Sequence, residues 1–86
     1  MKRFEHTIHA PVGIHTKPAR QIVKIAKQFA DTAITVTRDG KTVSAAALMK
    51  LLLLGAKLGD TVTVVCDGPS EMAAVIAMQD FFWNYL

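Results

Sequence analysis

The sequence predicts an α+β fold: an open-faced β-sandwich in which a four-stranded antiparallel sheet carries three helices on one face, in the order β-α-β-β-α-β-α. Three observations predict it. Short period-two stretches alternate with helical-period stretches, Asp39-Gly40 joins two of the strand stretches as a hairpin turn, and the first six elements are those of a split βαβ unit. At 86 residues, 51% apolar and 20% charged, residues 1–86 are expected to form one domain. Such a chain has room for one core and none for a deep, walled-in cavity, so any chemistry is expected near the surface.

The first strand is expected from Lys2 to Ala10, where Phe4, His6, Ile8 and Ala10 alternate with Arg3, Glu5, Thr7 and His9 before Pro11 and Gly13 end it. Pro18 suits a helix's first turn, and Ala19, Ile22, Val23, Ala26 and Phe29 recur at helical spacing, so an amphipathic helix is expected over Thr16 to Phe29. Its other face, including Lys17, Arg20, Lys24 and Lys27, is basic or polar. Thr32 to Thr37 is a largely β-branched strand that turns at Asp39-Gly40 and returns through Lys41 to Ser44. Ser44 is then placed to cap a short, almost wholly apolar helix from Ala45 to Leu53, stopped by Gly55 in the left-handed conformation. Thr61 to Cys66 is the fourth strand. Ser70 and Glu71 suit a helix start, after which Met72, Val75, Ile76, Phe82, Trp83 and Leu86, interrupted by Gln79, trace one expected buried face. The aromatic cluster Phe81, Phe82, Trp83 and Tyr85 is accordingly expected in the core.

Composition excludes several function classes. A formal charge of +3 is basic but spread along the chain, without the basic stripe and stacking aromatics that nucleic-acid binding wants. One cysteine, Cys66, makes no internal disulfide, and three scattered histidines lack metal-ligand spacing, so neither a metal nor a cofactor is expected. No apolar block of signal-peptide length follows Lys2 and Arg3. The longest apolar stretch, Ala45 to Leu54, is broken by Lys50 and too short to span a bilayer. The expectation is a soluble, unprocessed, cytoplasmic monomer without membrane insertion.

Chemistry points to one histidine. His6 has the apolar parity of its strand and is expected to be half-buried, whereas His9 is expected in solvent. His15 precedes a helix whose first N–H groups have no partner within the helix, with Lys17 alongside. An imidazole nucleophile, free amides for phosphoryl oxygens and a neutralising cation are what a phosphohistidine requires. Spacing alone leaves open whether His15 instead simply caps that helix.

Gly13-Ile14-His15-Thr16-Lys17-Pro18-Ala19 resembles the Gly-Leu-His-Thr/Ala-Arg-Pro-Ala motif of the histidine-containing phosphocarrier (HPr) family of the bacterial phosphoenolpyruvate-dependent sugar phosphotransferase system. The likeness runs the length of the chain. Ala10-Pro11, Ile34-Thr35-Val36 with Gly40-Lys41, and Leu48-Met49-Lys50-Leu51 ahead of Gly55 fall where that family has them, with one extra residue after the first helix. The resemblance implies a phosphoryl carrier without turnover of its own, accepting the group from Enzyme I on Nδ1 of His15 and passing it to a sugar-specific Enzyme IIA. It implies that the Thr16 amide meets the phosphoryl group and that Lys17 neutralises it. It also implies docking through the short helix, with Leu48, Met49, Leu52 and Leu53 as candidates, Met49 and Leu52 or Leu53 outermost, and Arg20, Lys24 and Lys27 as a basic rim.

Two positions depart from the family pattern. Lys17 stands for the usual arginine, keeping the charge but losing the planar fork. Ala47 stands for a serine phosphorylated in many members, so that switch is expected to be absent. The competing readings are a regulatory paralogue of the same fold, for example nitrogen-related, signalling through phosphorylated His15, and, last, a nucleic-acid module on a βαββαβ frame. The open sheet face argues against the latter, because Thr35, Thr37, Thr61 and Thr63 occupy it where stacking aromatics would be needed.

Overall fold

A computed structural model describes all 86 residues. The elements are β1 (Lys2–Thr7), α1 (Thr16–Gln28), β2 (Ala33–Arg38), β3 (Lys41–Ser44), α2 (Leu48–Leu54), β4 (Thr61–Asp67) and α3 (Glu71–Tyr85). The sheet is antiparallel throughout, in the order β1-β4-β2-β3. β4 therefore lies between β1 and β2, and β2 between β3 and β4, so each helical crossover spans an intercalated strand.

Register explains the two sheet faces. Phe4, Val64, Val36 and Val43 lie in one cross-sheet row and face the helices, while the adjacent row, Glu5, Thr63, Thr37 and Thr42, faces away. Hydroxyl pairs support the outer face, Thr7 with Thr61 at 3.0 Å and Thr37 with Thr42 at 2.7 Å. The inner face and the helices bury one core of 20 residues, with Phe82, Ile8, Ile22 and Leu51 among the largest fully buried side chains. No helix is long and apolar enough to cross a membrane.

Several elements differ from the sequence expectation, each for a physical reason. β1 ends at Thr7 rather than Ala10 because its partner β4 begins opposite, at Thr61. Ile8 then exchanges its backbone bonds with the turn before β4, donating to Asp60 O at 2.8 Å and accepting from Gly59 N at 2.9 Å. α2 starts at Leu48, with Ala47 at its N-cap. Ser44 does not cap it, because the Ser44 Oγ accepts from the Ala46 N–H, 3.1 Å away, in the turn that leaves β3. Gly55 does close α2 with a left-handed φ of 71°.

The largest correction concerns α3. Its buried residues are Ala74, Val75, Met78 and Phe82, whereas Met72, Ile76 and Trp83 are exposed. A helix apolar on nearly every side has no periodicity strong enough to select a stripe, and the sheet and α1 select it instead. Trp83 and Tyr85 are thus surface residues, and of the aromatic cluster only Phe82 is fully buried. His6 is also more enclosed than expected, at 8% exposure, edge-on to Phe82 with ring centroids 5.6 Å apart, and its Nε2 has no hydrogen-bond partner.

Two backbone devices hold the loop that leads into α1. Gly13 has a φ of 67°, and a Cβ there would come within 2.2 Å of Ala56 O and 2.7 Å of Lys57 Cα. The segment it leans on is itself clamped. The Asp60 carboxylate accepts from Lys57 N at 2.9 Å and from Arg38 Nε at 2.8 Å, while Arg38 Nη1 donates to Leu54 O at 3.2 Å. The Lys57 N–H and then the Arg38 guanidinium hold the Asp60 carboxyl below its usual range, against a smaller opposing effect of burial.

Gly13→Ala is expected to destabilise the fold by about 2 kcal/mol or more, measured by denaturant unfolding, because positive φ and backbone overlap act together. Asp60→Asn tests the clamp. The folded carboxyl titrates below the unfolded one, so its contribution is complete above about pH 4 and disappears as pH falls through the folded value. The stability difference between wild type and Asp60→Asn, followed by thermal melts across pH, is expected to shrink over that acid range.

Candidate phosphoryl-acceptor site

The site begins with the path of the chain from Ile8 to His15. Ala10 N donates to Leu86 O at 3.0 Å, Gly13 N to Ala10 O at 3.0 Å, and Ile14 N to Ala56 O at 3.0 Å. Ile14 is buried and pins the loop, which then delivers His15 in extended backbone conformation, φ −105° and ψ −171°, as the N-cap of α1.

The imidazole makes no hydrogen bond to the first turn, so it does not cap the helix. It is exposed. The His15 N–H is taken up by Gly13 O, Ala19 N donates back to His15 O at 2.9 Å, and Pro18 has no N–H. This leaves the amides of Thr16 and Lys17 without an acceptor in the protein. No acidic residue stands in the first turn, and the Lys17 side chain forms no ion pair. The mouth of α1 is therefore uncompensated and positive, with a preference for an anion of about 0.3–1 kcal/mol from the helix alone.

The remaining sequence candidates fall into two groups. Thr16 and Lys17 stand beside His15, both exposed. Arg20, Lys24 and Lys27 are exposed on the outer face of α1. On α2, Leu51 and Leu54 enter the core, Leu48 and Leu52 are half-buried, and Met49 and Leu53 project at 66% and 71% exposure. α2 packs on α1, and the residue that follows its C-cap, Ala56, holds Ile14, so this apolar surface and His15 are parts of one unit.

The structure also assembles residues that spacing does not pick out. His15, Lys17, Pro18, Gln21, Phe81 and Tyr85 line an open groove of about 540 Å³. Gln21 was legible in principle, one turn beyond Lys17 on α1. Phe81 and Tyr85 were not, since only the packing of α3 on α1 brings them there. The other nucleophiles lie elsewhere. Cys66 is buried in β4, where desolvation and then the Glu71 charge push its thiol up, and His6 is buried edge-on to Phe82 and His9.

Comparison with known proteins identifies the family and the fold. The family described as "PTS HPr component phosphorylation site" matches residues 2–84. The chain is 47% identical over 76 residues to the phosphocarrier protein HPr of Vibrio cholerae, covering 85% of this chain and 88% of that one. It is also 47% identical over 68 residues to the phosphocarrier protein HPr of Haemophilus influenzae, covering 79% of each. The crystal structure of HPr-C-His from Thermoanaerobacter tengcongensis shares the fold with a TM-score of 0.91 at 31% identity, over 98% of this chain and 93% of that one. Motif, sheet order and these likenesses agree: the chain belongs to the HPr family of phosphocarriers of the phosphotransferase system.

Proposed function

We propose that this chain carries phosphoryl groups in a sugar phosphotransferase system, accepting them from Enzyme I on Nδ1 of His15 and handing them to a sugar-specific Enzyme IIA in the cytoplasm. The observation that carries the reading is the exposed, unbonded imidazole at the mouth of α1, flanked by two amides without acceptors and an unpaired lysine. Phosphorylation makes one P–N bond as the donor's bond to phosphorus breaks. The phosphoryl oxygens then find the Thr16 and Lys17 N–H groups and the Lys17 ammonium, all donors and none an acceptor.

Exposure is part of the function. A carrier is not a catalyst and must present one atom to two partners, so it needs modest stabilisation of the phosphoryl group, not a cleft that retains it. Met49 and Leu53 form an apolar docking patch beside it, and Arg20, Lys24 and Lys27 supply a field that steers an acidic partner surface.

Incubation with Enzyme I and labelled phosphoenolpyruvate is expected to place one acid-labile label on the wild type and none on His15→Ala, with His9→Ala labelled normally. Label persisting in His15→Ala would overturn the assignment. Lys17→Ala is expected to slow transfer by about tenfold, as loss of a charge-assisted hydrogen bond implies. Lys17→Arg is expected to change at least one transfer rate, because the guanidinium fork holds two oxygens at once. Leu53→Asp should weaken Enzyme I binding by about tenfold or more in titration calorimetry, yet melt like the wild type because Leu53 contributes little to the core.

A further inference from the structure

The groove beside His15 has a wall that phosphoryl transfer does not require. Phe81 and Tyr85, one turn apart on α3, stack with ring centroids 5.1 Å apart and planes at 29°. Phe81 is in turn met edge-on by the fully buried Phe82, with centroids 6.3 Å apart and planes at 82°. The stack is thus anchored in the core at one end, while Tyr85 is 69% exposed and contributes little to core packing. The polar side chains of His15, Lys17 and Gln21 line the same groove.

We propose that the Phe81–Tyr85 stack is a water fence, a positioning element that lengthens the life of the phosphoryl group on His15. The inference rests on His15 being the acceptor. Hydrolysis breaks the P–N bond, joins the water oxygen to phosphorus and returns the water's other proton to the imidazole nitrogen, releasing inorganic phosphate. Productive transfer breaks the same bond but joins phosphorus to a nucleophile on the partner, so it uses no water. Both nucleophiles enter roughly in line with the bond that breaks. A ring surface offers water no hydrogen bonds, so the apolar ring faces thin the hydration shell from which an in-line water is drawn. The polar side chains meanwhile hold the oxygens, and the groove stays open to a partner. On this account the ring of Tyr85 matters and its hydroxyl does not.

The test is the rate at which isolated phosphoprotein loses its phosphoryl group. Wild type, Tyr85→Phe, Tyr85→Ala and Phe81→Leu are phosphorylated with Enzyme I and phosphoenolpyruvate, freed of enzyme, and followed by phosphorus NMR at constant pH. Tyr85→Ala is expected to hydrolyse about threefold faster or more, Tyr85→Phe at the wild-type rate, and Phe81→Leu in between. Melting curves are recorded in parallel, and that of Tyr85→Ala is expected to match the wild type. Wild-type hydrolysis in Tyr85→Ala would overturn the fence, and equal acceleration in Tyr85→Phe would assign the effect to the hydroxyl and also overturn it. A wild type that takes no label, or a His15→Ala variant that does, would instead overturn the acceptor assignment on which the fence depends.

Discussion

The site depends on one backbone contact, the seating of Gly13 against Ala56. Two irregular segments meet there, one leading into α1 and the other leaving α2, and neither has a ladder of its own to hold it. The Ile14 N–H to Ala56 O bond and the lack of a side chain at Gly13 let them approach to van der Waals distance. Arg38 and Asp60 fix the far side of the contact to β2 and to the end of α2. His15 inherits its position from this chain of supports, so an exposed residue has a defined place without being buried. Ordering two loops costs backbone entropy, which the contacts between them offset.

The electrostatics of the site are modest, and that suits a carrier. One helix terminus and one solvated lysine supply attraction that water and salt screen. A buried, fully paired phosphate site would bind more tightly and release more slowly. The same reasoning separates the three histidines. His6 is buried edge-on to Phe82, His9 has solvent but no helix mouth, and only His15 combines exposure with free amides.

How far the sequence could be read depended on how strongly each segment was patterned. Strand parity placed Ile34, Val36, Val62 and Val64 inside because polar neighbours alternate with them, and the face of α1 was legible because lysines and an arginine mark its outer side. Ser44 misled because a hydroxyl before an apolar run caps a helix only if the helix starts at once, and here a turn intervenes before Leu48. The motif around His15 singled out the candidate acceptor but left open whether the imidazole faced the helix. That was answered by the φ and ψ of His15 and by the absence of a side-chain bond to the first turn.

Local sequence by itself determined the order of elements, the Asp39-Gly40 hairpin, the Gly55 terminus and the family motif, because each rests on residues within a few positions of one another. Tertiary structure decided which stripe of α3 is buried, how closely Gly13 approaches Ala56, and that Phe81 and Tyr85 share a groove with His15. These pairings join residues more than forty positions apart, or choose among nearly equal apolar faces. Only the closing of the core, which must fill its volume with one set of side chains and leave the others in water, makes that choice.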